Sequence, residues 1–222
     1  MTTHPRYPIV PAIIPASQSV VEEAAQTLRF APEFHLDIVD GAFVPTVSWP
    51  YDPPGEPAAV ARQLAAYTLE VDLMVAQPLP AAAAWLAAGA DMLVFHVETI
   101  SPAELTQFME THAVTVGVSA HGATEFDTLR TYAALADYVQ LMGIREIGAQ
   151  GQPFDPRVLD WIAQVSKEYP ELMISVDGSV NTETIAQLQV AGADRFVCGS
   201  AIVGQDDPEA AYQSLHAQLT NT

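Results

Sequence analysis

The sequence has very few basic side chains. Its 222 residues include eight lysines and arginines against 27 aspartates and glutamates, which gives a formal net charge of −19. Binding to nucleic acid requires a basic patch, and no such patch is visible, so a nucleic-acid partner is disfavoured. Attachment to an anionic membrane surface is disfavoured for the same reason. A phosphorylated substrate would have to be held by local dipoles or by a metal ion, because the overall field of the chain repels it.

Cysteine and long apolar runs are also scarce. Cys198 is the only cysteine, so no disulfide can form within the chain and a reducing compartment is expected. No apolar run reaches the length of a membrane span, and the polar residues 1–7 are unlike a signal peptide. We therefore expect a cytoplasmic protein with no membrane partner. Half of the residues are hydrophobic, which is enough for a large buried core.

Short apolar or β-branched runs alternate along the chain with segments of helical periodicity. Strands are predicted at residues 8–14, 34–41, 69–75, 92–97, 114–119, 138–142, 172–176 and 196–198. Helices are predicted at residues 19–30, 57–67, 80–89, 103–110, 124–135, 156–169, 182–191 and 208–219. Such alternation implies parallel strands joined by right-handed crossovers.

Eight strand–helix units predict an α/β fold, a (β/α)8 TIM barrel formed as a single domain by residues 1–222. An open, doubly wound sheet is the main alternative, and the absence of a G-x-G-x-x-G motif after the first strand weakens it. Two long loops interrupt the pattern, at residues 42–57 around Trp49-Pro50-Tyr51 and at residues 143–151, which are rich in glycine. Long loops in compact domains are usually functional or flexible.

Ionisable side chains lie at the predicted C-terminal ends of several strands, where the active sites of such barrels are found. They are His35, Asp37, Asp72, His96, His121 and Asp177. Because His35 and Asp37 are two residues apart on a strand, their side chains point to the same face. Burying an imidazole beside a carboxylate is costly unless the two are paired or bind a metal. A satisfied buried pair explains each residue alone equally well, whereas the whole set favours a functional site.

Glycine–serine pairs follow the last two strands, as Gly178-Ser179 and Gly199-Ser200. Backbone amides freed by glycine, at the N-terminus of the following helix, can bind a phosphate without any lysine. The loops after strands seven and eight are the usual phosphate position in this architecture. A single pair of this kind is usually only a turn, but its occurrence twice favours an anion site.

With these residues in place, the sequence resembles the ribulose-phosphate 3-epimerase family over nearly its whole length. The resemblance rests on HLDIVDGAFVP at residues 35–45, DLMV at 72–75, FHVE at 95–98, VDG at 176–178 and GSA at 199–201. It implies a metal-dependent isomerase of pentose phosphate metabolism that inverts one carbon of a ketose phosphate through an enediolate. Related barrels with decarboxylase chemistry place a lysine in the strand-two motif, and this sequence has none there.

The resemblance also implies the roles of individual residues. Asp37 and Asp177 would be the two acid/base groups, and His35, Asp37 and Asp177 would hold a divalent metal together with Asp72, which replaces a family histidine. One imidazole and three carboxylates favour Mn²⁺ or Mg²⁺ over Zn²⁺, with Fe²⁺ also possible as the ion. The alternative is that no metal binds and that Asp72 pairs with His35.

Further residues are assigned to a substrate pocket and a phosphate site. The pocket assignment comprises Met74, His96, Met142 and Arg145, and the phosphate assignment comprises Gly148, Gly178, Ser179, Gly199 and Ser200. Arg145 is interpreted either as a contact to a substrate phosphate or carboxylate, or as a surface partner of Glu146. Two family side chains are replaced, a serine by Pro15 and a methionine by Val39.

The leading hypothesis is a ribulose 5-phosphate/xylulose 5-phosphate 3-epimerase that acts on a phosphorylated ketose. A second possibility, favoured by the substitutions at Pro15 and Asp72, is a non-catalytic barrel that binds a sugar phosphate or a protein. A hexulose 6-phosphate is an alternative substrate, because the loop at residues 42–57 could reshape the pocket. By analogy with the family we expect a homo-oligomer.

Overall fold

A computed structural model describes residues 8–219 and shows eight parallel strands that form a closed barrel in sequence order. The strands are β1 (Ile9–Ile13), β2 (Glu33–Val39), β3 (Thr68–Met74), β4 (Met92–His96), β5 (Thr115–Ser119), β6 (Tyr138–Met142), β7 (Met173–Asp177) and β8 (Arg195–Cys198). β8 pairs with β1, which closes the sheet. The predicted (β/α)8 barrel is therefore confirmed, and the open sheet is excluded.

A helix follows each strand. The helices are α1 (Gln18–Thr27), α2 (Ala61–Leu64), α3 (Pro78–Ala87), α4 (Pro102–Thr111), α5 (Phe126–Ala133), α6 (Arg157–Glu168), α7 (Ile185–Ala191) and α8 (Pro208–Leu219). Local sequence signals define several of their ends. Ser101 and Glu104 form a reciprocal capping box at the start of α4, and Gly192, with a φ of 114°, ends α7 in the left-handed conformation. Within residues 8–219, no helix combines the length and apolar character needed to cross a bilayer.

The helix predicted at residues 57–67 is wrong in extent. The chain forms a 3₁₀ turn at Pro57–Ala59 and then only the short helix α2. The amides of Ala59 and Val60 donate to carbonyls three residues earlier, those of Glu56 and Pro57, so the first turn is tighter than an α-helix. β3 already begins at Thr68, and this leaves little chain for a longer helix.

The loop at residues 42–57 is fixed to the core by its central tryptophan. Trp49 is buried and packs edge-on against Trp85, with ring centroids 6.0 Å apart. Its backbone amide donates to the carbonyl of Pro15 at 2.8 Å. The tryptophan at the centre of this loop therefore packs in the core.

The two faces of each strand have different partners. Phe34, Leu36 and Ile38 of β2 belong to the apolar core that also contains residues of the surrounding helices. The alternate residues of the same strand point into the barrel, and they are polar up to Asp37. A fully buried strand with an ionisable inner face needs compensating charges inside the barrel.

Arg195 supplies that compensation at the start of β8. Its guanidinium donates to Glu33 Oε2 from Nη2 and to Glu70 Oε1 from Nη1, both at 2.9 Å. Glu70 also accepts hydrogen bonds from the Tyr138 hydroxyl, at 2.6 Å, and from His35 Nδ1. Burial alone would raise the pKa of Glu70, but the charges of Arg195 and His35 and these hydrogen bonds lower it to about 2. Glu70 is thus an ionised carboxylate whose partners come from three other strands.

We predict that Arg195→Met destabilises the protein by about 3–5 kcal/mol, because it leaves two buried carboxylates without their common cation. Urea unfolding at pH 7, followed by circular dichroism, measures the effect. Arg157→Met is the matched control, since Arg157 pairs with Asp155 at the surface with its side chain 45% exposed, and it should cost less than about 1 kcal/mol. Equal losses in the two variants would contradict a structural role for the buried network.

Candidate active site

Four predicted ligand residues converge at the C-terminal end of the barrel. His35 and Asp37 come from β2, Asp72 comes from β3, and Asp177 ends β7. One ligand atom from each side chain lies within 4.8 Å of one from every other. The parallel register brings this about, because Asp37 is aligned with Asp72 across the β2–β3 pair.

His35 is held between two carboxylates. Its Nδ1 donates to Glu70, and its Nε2 lies 3.2 Å from Asp37 Oδ1. Burial would lower the pKa of His35, but the charges of Asp37 and Glu70 raise it well above its ordinary value. A carboxylate behind a histidine is the usual support of a metal-ligating imidazole, because it orients the ring so that the other nitrogen faces the metal.

Asp72 has different partners from the one proposed from the sequence. Its Oδ1 accepts from His96 Nε2 at 3.0 Å, and its Oδ2 accepts from Gln140 Nε2 at 2.8 Å. The interpretation that Asp72 pairs with His35 is therefore wrong. The register explains the difference, since the residue aligned with His35 on β3 is Glu70.

The grouping of three carboxylates is electrostatically unfavourable without a cation or a proton. Burial, together with the charges of Asp37 and Asp72, raises the pKa of Asp177 to about 8. Burial also raises the pKa of Asp37, although His35 partly offsets this effect. One imidazole and three carboxylate groups within this distance fit a divalent cation that prefers oxygen ligands, such as Mn²⁺ or Mg²⁺.

The predicted phosphate residues and the two predicted acid/base residues line one cavity of about 50 Å³. Those on the phosphate side are Gly148, Gly178, Ser179, Gly199 and Ser200. Asp37 and Asp177 also line this cavity. The sequence-based assignments to an anion site and to proton transfer therefore fall in the same space.

The expected helix N-termini are absent from the phosphate side. α7 begins only at Ile185 and α8 only at Pro208, several residues beyond the two glycine–serine pairs. A turn follows Gly199, whose carbonyl accepts from the amides of Ile202 and Val203 at 2.9 Å. Loop amides and the Ser200 hydroxyl, rather than helix ends, are therefore the available anion donors, because the Ser179 hydroxyl already donates to the carbonyl of Gln152.

The four substrate-pocket residues divide into two groups. Met74 and Met142 line the cavity and pack in an apolar cluster that includes Val39. His96 is fully buried behind Asp72. Arg145 is exposed and lies outside the cavity wall, and within residues 8–219 it forms no ion pair, so its interpretation as a partner of Glu146 is wrong.

Sequence reasoning missed several residues of the cavity wall, among them Ala12, Ile14, Gln150 and Gln152. The Gln150 amide donates to the Ala12 carbonyl at 3.3 Å. Its Nε2 would lie only 2.6 Å from a Cβ placed on Gly199, so a side chain at that position would displace the end of Gln150. No spacing in the loop sequence indicates this contact.

The supporting residues Glu70, Tyr138, Gln140 and Arg195 were also missed. A signal for three of them was present, because Glu70 precedes Asp72 by two residues and Tyr138, Gln140 and Met142 alternate along one strand. Residues two apart on a strand share a face. Polar residues in phase with a known site residue are therefore candidates for its support.

Comparison with known proteins gives a consistent result. A family model described as the ribulose-phosphate 3 epimerase family matches residues 8–203. The ribulose-phosphate 3-epimerase of Mycobacterium bovis is 31% identical over 218 residues, covering 95% of this chain and 92% of the relative. The cytoplasmic isoform of ribulose-phosphate 3-epimerase from Oryza sativa is 29% identical, covering 90% of this chain and 89% of the relative.

Solved structures share the fold at lower sequence identity. A 3-hexulose-6-phosphate synthase aligns with a TM-score of 0.69 and 22% identity, over 96% of this chain and 99% of that chain. KGPDC from Streptococcus mutans, in complex with D-R5P, aligns with a TM-score of 0.73 and 10% identity, over 96% of this chain and 97% of that chain. At these identities the likeness establishes the barrel fold alone.

We predict that Asp177→Asn stabilises the metal-free protein at pH 8 more than at pH 5. The folded-state pKa of about 8 lies above the value of about 3.9 expected for an unfolded aspartate. The folded wild type therefore binds the extra proton between these values, and its stability falls as the pH rises through them. Asparagine removes this loss, which is worth about 1.4 kcal/mol for each pKa unit. Urea unfolding in EDTA at both pH values provides the measurement.

Asp155→Asn is the control of opposite sign. In the wild type, hydrogen bonds with Arg157 hold the pKa of Asp155 below its ordinary value. Asp155→Asn should therefore slightly lower the free energy of unfolding at both pH values. A loss of stability at pH 8 in Asp177→Asn would show that the clustered carboxylates do not repel one another. Adding Mn²⁺ should then stabilise the wild type more than Asp177→Asn, by mass action on the folded state.

Proposed function

This chain belongs to the ribulose-phosphate 3-epimerase family, a family of isomerases, and we propose on that basis that it interconverts D-ribulose 5-phosphate and D-xylulose 5-phosphate. The observation that carries the proposal is the shared cavity of Asp37, Asp177 and the glycine–serine turns. In this proposal the two carboxylates transfer protons and the adjacent turns bind the anion. A ketose phosphate has both a carbon from which a proton can be removed and a phosphate group, so it matches both parts of such a cavity.

Inverting a carbon that bears hydrogen requires a proton to leave one face and another proton to arrive on the opposite face. Two acid/base groups on different sides of the substrate are therefore needed. Asp37 projects from β2 and Asp177 from β7, and β8 and β1 lie between these strands in the closed barrel. In our proposal one carboxylate removes the proton from carbon three and the other, protonated, returns one from the opposite side. The two roles are exchanged in the reverse reaction.

The residues that would hold a divalent metal are His35, Asp37, Asp72 and Asp177. When bound, the ion would stabilise the negative charge that develops on the substrate oxygens during proton removal. Glu70 keeps His35 oriented for this task through the hydrogen bond to Nδ1. Mn²⁺, Mg²⁺ and Fe²⁺ suit this donor set better than Zn²⁺, because three of its four groups are carboxylates.

The other residues of the cavity bind and shield the substrate in this proposal. The amides of Ser179 and Ser200 and the Ser200 hydroxyl bind the phosphate, while Met74 and Met142 exclude water from the reacting carbon. Ligand pockets usually enclose about 300–1,000 Å³, whereas this cavity encloses about 50 Å³. In this proposal the Gln150 side chain, which lies against Gly199, moves aside when the phosphate enters.

The structure weakens the support for the two alternative functions. The hexulose phosphate hypothesis relied on the loop at residues 42–57, but Trp49 is buried in the core and does not line the cavity. The hypothesis of a non-catalytic barrel relied on Pro15 and Asp72. Pro15 is buried and lies outside the cavity wall, while Asp72 remains within the ligand cluster. Homo-oligomer formation and a cytoplasmic location stay predictions.

We predict that the protein, supplied with Mn²⁺, incorporates solvent deuterium at carbon three of D-ribulose 5-phosphate. Because inversion of carbon three requires both carboxylates, Asp37→Asn and Asp177→Asn should each lower the rate of epimerisation to xylulose 5-phosphate by about 10²–10⁴-fold. Proton NMR in deuterium oxide follows both exchange and the appearance of xylulose 5-phosphate.

Glu146→Gln is the matched control for this experiment, because Glu146 is an exposed carboxylate on the neighbouring loop and outside the cavity wall. Its exchange rate should equal that of the wild type. Folded wild-type protein that exchanges no deuterium with Mn²⁺, Mg²⁺ or Fe²⁺ would refute the pentose phosphate assignment.

A further inference from the structure

Three buried polar atoms on neighbouring strands have no hydrogen-bond partner among residues 8–219. They are His96 Nδ1, Ser119 Oγ and Gln140 Oε1. Their side chains come from the consecutive strands β4, β5 and β6 and are fully buried. His96 is aligned with Ser119 across the β4–β5 pair, so these atoms occupy one region of the barrel interior.

Such atoms are unfavourable for folding, because a buried donor or acceptor without a partner loses its hydrogen bonds to water. Apolar side chains would fill the space without this loss, as Met92, Val94 and Met173 do elsewhere inside the barrel. His96 and Gln140 nevertheless each make one strong contact, and in both cases the acceptor is Asp72. These two residues therefore act on Asp72 rather than on the packing of the core.

We propose that His96 and Gln140 are positioning residues that hold the Asp72 carboxylate ready to bind a divalent cation and set the preference for an ion that favours oxygen ligands. This inference rests on the metal site of the proposed function. It concerns the position where the chain departs from the histidine expected by resemblance.

The geometry explains how two donors can do this. They approach different oxygens of the carboxylate, at 3.0 Å for Oδ1 and 2.8 Å for Oδ2, from two different strands. Together they fix the rotation of the carboxylate plane. Each oxygen of an ionised carboxylate has two acceptor sites, so one site on each remains for a cation shared with His35, Asp37 and Asp177.

The same two hydrogen bonds withdraw negative charge from Asp72. Three carboxylates around one divalent ion would otherwise carry more negative charge than the ion neutralises. The ring of His96 is itself kept in place by Phe43, with ring centroids 5.2 Å apart. Removing a group that orients a metal ligand typically weakens metal binding by about 10–100-fold.

The test is Mn²⁺ binding to EDTA-stripped protein, measured by electron paramagnetic resonance of the free ion. Gln140→Leu should weaken Mn²⁺ binding by about 10–100-fold. It should also lower the unfolding midpoint of the metal-free protein, because the buried Asp72 carboxylate loses one of its two donors. Ser119→Ala is the matched control, since it removes a neighbouring unpaired atom that does not touch Asp72, and it should bind Mn²⁺ as the wild type does. If Gln140→Leu does not fold, His96→Phe provides the same test.

A double-mutant cycle separates positioning from a general effect on folding. In the Asp72→Asn background, adding Gln140→Leu should not weaken Mn²⁺ binding any further, because the group that Gln140 positions has already been altered. Competition between Mn²⁺ and Zn²⁺ should shift towards Zn²⁺ in Asp72→His. Wild-type Mn²⁺ affinity in Gln140→Leu, or equal weakening in Ser119→Ala, would overturn the inference.

The outcome does not depend on turnover, so failure of the inference and failure of the proposed function can be told apart. A wild type that binds Mn²⁺ but exchanges no deuterium would refute the epimerase and leave the positioning role intact. A wild type that binds no Mn²⁺, Mg²⁺ or Fe²⁺ would overturn the inference, whatever its activity.

Discussion

The carboxylate of Glu70 is the point at which the architecture and the candidate active site meet. It lies on β3 and accepts hydrogen bonds from side chains of β2, β6 and β8, those of His35, Tyr138 and Arg195. The bonds to Tyr138 and Arg195 tie distant strands together across the barrel interior. The bond to His35 orients the single imidazole of the ligand cluster. One buried carboxylate therefore links strands across the barrel interior and orients the site.

The two ends of the barrel interior differ in how their buried carboxylates are compensated. At one end the carboxylates pair with a cation, and at the other end they lie beside one another. Near the N-terminal ends of the strands, Arg195 pairs with Glu33 and Glu70, and the charges of Arg195 and His35 lower the pKa of Glu70 to about 2. At the C-terminal ends Asp177 lies beside other carboxylates, and burial with their charges raises its pKa to about 8. The same chemical group thus responds in opposite directions because its neighbours differ. The uncompensated end is the one that opens into the cavity, where a cation and a substrate can enter.

Much of this arrangement could be predicted from the sequence, because alternating strands and helices determine where strand ends meet. His35, Asp37, Asp72 and Asp177 come together for that reason. The partner of Asp72 could not be predicted, since it depends on the register between strands and on Gln140, which lies 68 residues further along the chain. The orientation of Arg145 and the contact of Gln150 with Gly199 depend on a loop whose path no local pattern specifies. The short α2 likewise reflects the distance to β3 rather than helix propensity.

Arg195 is separated in sequence from its two partners by 162 and 125 residues. A nascent chain on the ribosome therefore exposes Glu33 and Glu70 long before their common cation has been synthesised. A partial barrel that buried these carboxylates without Arg195 would carry uncompensated charge in its interior, which is strongly unfavourable. The early strands consequently gain little from closing around one another during translation. Completion of the interior has to wait for β8, so assembly of this barrel is a late event that requires nearly the whole chain.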